Sequence, residues 1–239
     1  MIARPIGGII NPGRLLVVGW MGRVISISGK GGVGKTTLAA LLLRVLLDDG
    51  RDSILMVDAD PASNLQEVLG VKVEKTVGEV AYELKRRIER GQIPPSISKA
   101  DLLEAWVYES LVELENFDLL AMGRGEGEGC YCYVNHLLRH ALDKLSRNYD
   151  FVIIDCEAGL EHLSRRTTRN VDVMLITVDS SLRSIVTAER IKELASKLEV
   201  LVGEIYIVIN RASRAIIPRI LEELIKRDFK IIGAIPEDP

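Results

Sequence analysis

A short apolar run, Val24 to Ser28, passes directly into Gly29-Lys30-Gly31-Gly32-Val33-Gly34-Lys35-Thr36-Thr37, and helical spacing of apolar residues begins at once behind it. The segment satisfies GxxxxGK[ST] in the strand, loop, helix context that gives the pattern its meaning. Glycines let backbone N–H groups converge on phosphate oxygens, and the following helix adds the positive end of its dipole. Lys35 is placed for the β- and γ-phosphates of a nucleotide, and the Thr36 hydroxyl for Mg²⁺. The cofactors predicted are ATP and Mg²⁺.

The rest of the chain suits such a loop. Short β-rich runs, at Val24–Ser28, Ser53–Asp58, Phe117–Met122, Phe151–Cys156, Val173–Val178, Ile205–Asn210 and Ile231–Ile235, alternate with helical patterns at Thr36–Asp49, Val134–Arg147, Ser184–Leu198 and Ile217–Arg227. Most of these runs are almost continuously apolar, as strands covered on both faces are. The expectation is an α/β fold, a doubly wound and mostly parallel sheet of seven to eight strands with helices on both faces. Residues 76–115 read as an insertion of two helices parted by a break containing Pro94-Pro95. Residues 21–239 form one expected domain, and residues 1–20 read as an extension before Met21 to which the pattern gives no role.

Composition narrows the function classes. With 239 residues, 47% hydrophobic, and a formal net charge of -3, the chain has no general attraction for nucleic acid or anionic lipid. No apolar run approaches the roughly 20 residues needed to span a bilayer, so no stable membrane insertion is expected. Three cysteines in a chain of this length do not make a disulfide framework, which points to a reducing, cytoplasmic setting.

Lys30 lies inside the loop, where its side chain has poor access to phosphate bound by its own chain. The form GKGGVGKT resembles the deviant Walker A loop of the MinD, ParA and nitrogenase iron protein class, a resemblance extending from Gly22 to Pro239. It implies a homodimer in which Lys30 reaches the partner's nucleotide, making Lys30 and Lys35 catalytic. It also implies that Asp60, in Asp58-Ala59-Asp60-Pro61, positions the attacking water, and that Asp58 contacts magnesium through water. Val152-Ile153-Ile154-Asp155, an apolar strand ending in a carboxylate, reads as the second magnesium site, again through water. Near the end of the chain, Asn210 and Arg211, and the loop with Pro236 and Asp238, resemble the class's adenine-recognition segments. The class continues beyond this point into a further helix.

Cys130-Tyr131-Cys132 follows a glycine-rich approach, Gly123 to Gly129. Two thiols so spaced can hold one soft or borderline ion, and a twofold axis would double them to four. Gly129 to Asn135 with Leu137-Leu138-Arg139, and Glu157 to Arg165, resemble the CooC family of nickel-insertion ATPases. That resemblance implies Cys130 and Cys132 as ligands for Ni²⁺, or Zn²⁺ in its place, at a dimer interface. The implied client is the carbon monoxide dehydrogenase apoenzyme. His136 and His140 share a helix face and read as surface residues, His162 has no assigned role, and Cys156 reads as a buried, inert thiol. Two other readings stay open: a positioning ATPase of the ParA or MinD kind, and an iron-sulfur electron donor using the paired thiols.

Overall fold

In the computed structural model the described residues are 23–123, 140–157, 170–197 and 201–237. Eight strands form one sheet in the order β3-β4-β2-β5-β1-β6-β7-β8. They are β1 (Arg23–Gly29), β2 (Ile54–Asp58), β3 (Val112–Glu113), β4 (Asp118–Ala121), β5 (Phe151–Asp155), β6 (Asn170–Val178), β7 (Leu201–Ala212) and β8 (Ile231–Pro236). Every neighbouring pair is parallel except β3 with β4. The expected doubly wound sheet is therefore present, with β1 at its centre.

The helices are α1 (Lys35–Asp48), α2 (Leu65–Leu69), α3 (Val77–Glu89), α4 (Lys99–Glu109), α5 (described over residues 140–146), α6 (Leu182–Lys197) and α7 (Ile217–Ile225). Alternation along the strands sends side chains to two cores. Ile54 and Met56 join Leu38, Ala39 and Leu43 of α1 and Leu65 of α2 on one face. Leu55 and Val57 join buried residues of α3 to α7 on the other. Burial on both sides is why β2 reads ILMVD with no solvent-facing alternation.

Helices α3 and α4 both fall within residues 76–115, and each has a side-chain cap. Thr76 and Glu79 form a reciprocal capping box on α3, and Ser98 accepts from the Asp101 N–H on α4. Helix α1 differs. Its N-cap is Gly34, no side chain caps it, and no acidic residue occupies its first turn. The orphan N–H groups of that helix start, left at the carboxyl edge of the sheet, are what an anionic ligand would take up. Among the described residues no helix is long and apolar enough to cross a membrane.

Candidate functional site

The loop between β1 and α1 owes its shape to its glycines at two places. Gly29 has φ of 149°, and a Cβ there would stand 2.5 Å from the Thr177 carbonyl oxygen on β6. Gly34 has φ of 88°, and a Cβ there would stand 2.4 Å from the Asn210 amide nitrogen. Gly29 has backbone in the way, and at Gly34 a side chain would be strained by the backbone angle and would have to displace the Asn210 amide. Behind the loop Lys35 is buried, only 8% exposed, at the start of α1.

Two carboxylates stand at the same edge. Asp58 and Asp155 end β2 and β5 at matched register, and both are fully buried. Asp58 is committed to backbone: Oδ2 accepts the Leu65 N–H at 2.9 Å and Oδ1 the Asp60 N–H at 3.2 Å. Burial lifts it to about 6, partly offset by those N–H groups and reinforced by the Asp155 charge. Burial likewise lifts Asp155 to about 6, against the opposing pull of the nearby Thr36 hydroxyl and the Lys35 ammonium. Neither oxygen of Asp155 has a donor in hydrogen-bonding geometry among the described residues.

A buried carboxylate with both oxygens unpartnered, beside a lysine and a threonine hydroxyl, is a site short of positive charge. A divalent cation fits that need. Among the described residues no three His, Cys, Asp or Glu side chains gather to hold a metal. Few protein ligands suit Mg²⁺, which keeps most of its water and takes the rest of its shell from phosphate. Thr36 and Asp155 are the residues that would hold it.

Asp60 follows on the loop after β2, half-buried. Its Oδ1 accepts the Ala62 N–H at 2.8 Å, an Asx turn that fixes the carboxylate on the edge beside Asp58. Lys30 is half-buried and close enough to Asp179, after β6, to act on its charge. Burial pushes Asp179 up, but the Ser181 and Ser184 groups and the Lys30 charge outweigh it and hold the carboxyl below its usual range. Sequence reasoning missed Asp179, whose only signal was its place just after a strand.

Asn210 and Arg211, at the end of β7, meet the loop itself. The Asn210 amide donates to the Val33 carbonyl at 2.8 Å and Arg211 Nη1 donates to the Gly32 carbonyl at 3.2 Å. Pro236 pairs beside them, opposite Ala212. Cys156 is buried, with its thiol pushed up to about 12 by burial, in keeping with an inert role. His140 is exposed on α5. Cys130, Cys132, His136, His162 and Asp238 lie outside the described residues.

A family model described as an AAA domain matches residues 22–207. The chain belongs to the MinD/ParA-like P-loop ATPases. An ATP-binding protein of Methanocaldococcus jannaschii, itself uncharacterised, is 53% identical over 210 residues, covering 88% of this chain and 81% of that one. The carbon monoxide dehydrogenase accessory protein CooC of Rhodospirillum rubrum is 33% identical over 228 residues, covering 90% and 83%. Among solved structures, MinD of Pyrococcus horikoshii complexed with Mg-ADP superposes with a TM-score of 0.63 at 24% identity, covering 92% and 83%. This MinD/ParA-like chain is thus an ATP-binding ATPase by family, with the expected sheet.

Proposed function

We propose that this MinD/ParA-like ATPase is a homodimeric, cytoplasmic metallochaperone. It would use ATP binding and hydrolysis to carry Ni²⁺ on Cys130 and Cys132 to a carbon monoxide dehydrogenase apoenzyme. The observation that carries the ATP half is Asp155, buried beside Lys35 with both oxygens unpartnered. The cargo half rests on the cysteine pair, whose spacing suits a soft or borderline ion, and on the likeness to the Rhodospirillum rubrum accessory protein over nine-tenths of the chain.

In this reading Lys35 and the α1 N–H groups bind the nucleotide phosphates. Mg²⁺, when bound at Thr36 and Asp155, supplies charge neutralisation at the transferring phosphoryl group. Asp60, fixed by its turn, orients water for attack. Lys30 leaves the neighbourhood of Asp179 and reaches the partner's phosphates when two copies close. Asp58, whose oxygens hold the Asp60 and Leu65 N–H groups, ties the loop of residues 58–65 to the sheet edge and keeps Asp60 in place, and loss of γ-phosphate relaxes the switch loops.

Elemental analysis and light scattering on anaerobically purified protein test this, for the wild type and for Cys130→Ser/Cys132→Ser, each with and without nucleotide. About one nickel or zinc per dimer, lost with the cysteines, is expected from a shared four-thiolate site. Unchanged metal content in the double variant defeats the cargo half. ATP-dependent dimerisation with no metal in the wild type leaves a positioning ATPase as the better account.

A further inference from the structure

The last residues of β7 reach a loop nearly the whole chain away. Asn210 lies 177 residues from Val33, and its bond to the Val33 carbonyl is buried. Arg211 lies 179 residues from Gly32 and adopts φ of 54°, a left-handed conformation uncommon for a long side chain. The ladder between β7 and β8 shifts register between Asn210 and Ala212. That irregularity spans the residue with positive φ and turns both side chains toward the loop.

A peptide unit is planar and trans, so the carbonyl of one residue and the N–H of the next point in opposite directions. Holding the Val33 carbonyl toward Asn210 therefore points the Gly34 N–H away from β7. Holding the Gly32 carbonyl toward Arg211 does the same for the Val33 N–H. These are N–H groups of the phosphate loop. Their direction is normally the costly variable of such a loop, because carbonyls and N–H groups must be sorted to opposite sides before an anion can be bound.

We infer that Asn210 and Arg211 are positioning residues of the phosphate site, presetting the Gly32–Gly34 peptides for anion binding before any base is present. The inference rests on the reading of this loop as the phosphate site and adds a role to the base contact that resemblance assigns to the same residues. The Asn210 amide has two N–H donors, so one bond to Val33 leaves a donor and the carbonyl for a base. Gly34 belongs to the same device: a Cβ there would displace the Asn210 amide.

A ligand without a base separates the two roles. Calorimetric titration with Mg-tripolyphosphate and with Mg-ATP is made on the wild type, Asn210→Ala, Arg211→Ala and Lys35→Ala, and thermal unfolding of each is recorded without ligand. Arg211 is exposed, and Ala bears the same positive-φ cost as Arg, so Arg211→Ala keeps the fold should Asn210→Ala lose it. The expected result is a tripolyphosphate affinity about tenfold lower in each β7 variant, the scale of one lost hydrogen bond to a rigid backbone group. The ATP affinity falls at least as much. Weaker ATP binding with unchanged tripolyphosphate binding overturns the inference, as does a wild type that binds ATP but not tripolyphosphate. Should Lys35→Ala leave both ligands bound at full strength, the phosphate reading itself fails, whatever the β7 variants do.

Discussion

Asp58 and Asp155 face each other at the same register position of two neighbouring parallel strands, yet only Asp58 has its oxygens satisfied by backbone. The pair divides two tasks. Asp58 shapes the loop that carries Asp60, and in the proposed function Asp155 keeps its oxygens for a ligand. Burial is what lifts each to about 6, with the Asp155 charge adding to the rise at Asp58 and the Asp60 charge to that at Asp155.

The first prediction concerns pH. Folded values of about 6 against an ordinary 3.8 mean the folded chain binds more protons than the unfolded one between about pH 4 and pH 6. Stability of the magnesium-free protein therefore falls as pH rises through that window and levels off above it. Each group bears up to roughly 3 kcal/mol of this. Asp155→Asn is expected to unfold about 1–3 kcal/mol later than wild type at pH about 8 without Mg²⁺, and to lose most of the stabilisation Mg-ATP gives. Urea titrations at several pH values measure it; a variant no more stable than wild type at high pH would show that Asp155 carries no charge penalty.

A second prediction separates binding from turnover at Asp60. The Asx turn to Ala62 is a local contact, distant in role from the phosphate loop. Asp60→Ala is expected to bind ATP within about threefold of wild type while its single-turnover hydrolysis falls about 10²–10³-fold, the scale of a lost water-orienting group. Equal losses in both would make Asp60 a loop-shaping residue only.

Lys30 gives a third. Its charge acts on Asp179 in the single chain, so in the proposed dimer two sites would compete for it: Asp179 in the monomer and the partner's phosphates once two copies close. Lys30→Gln is expected to bind ATP as a monomer with near-normal affinity and, in sedimentation, to lack the ATP-dependent rise in mass expected of the wild type. Asp179→Asn, with the competitor weakened, is expected to dimerise at lower protein concentration than wild type. Dimerisation of Lys30→Gln at wild-type concentrations would remove Lys30 from the interface.

Much of this was legible in the amino acids because the deciding patterns are local. An apolar run covered on both faces reads as a strand wherever it sits, and Gly29 to Thr37 carries its meaning in nine consecutive residues. The elements that escaped depend on partners elsewhere. Helix α2 has five residues, too short to nucleate alone, and its first N–H is taken by Asp58, seven residues earlier. Strand β3 has two residues and exists only by pairing with β4. Strand β6 begins at Asn170, ahead of the apolar run, because the Asp172 carboxylate that breaks the pattern accepts the Val24 N–H at 2.7 Å. Residues 201–204 of β7 are mostly exposed, and Gly203 and Glu204 part Leu201 and Val202 from the apolar run that begins at Ile205. The contact of Asn210 with Val33 has no signature in either segment alone.

The last prediction tests why the glycine-rich approach to the cysteine pair begins where it does. Gly123 has φ of 61°, and a Cβ there would lie 2.5 Å from Thr76 Oγ1 and 2.6 Å from Thr76 Cβ. Thr76 is the N-cap of α3, accepting the Glu79 N–H while Glu79 accepts its own, and the Gly78 N–H donates to the Met122 carbonyl at 2.8 Å. The start of α3 and the end of β4 are thus stitched together, with Gly123 the point of closest approach. Thr76→Ala removes one cap and is expected to cost about 1 kcal/mol, a fall in Tm of roughly 2–4 °C for a chain of this size. Gly123→Ala meets both a left-handed backbone and the cap's Cβ, which is not the far end of a flexible side chain, and is expected to cost about 2–4 kcal/mol. Urea unfolding of the two variants ranks them, and a Gly123→Ala chain as stable as wild type would show that the approach leaves β4 without touching the α3 cap.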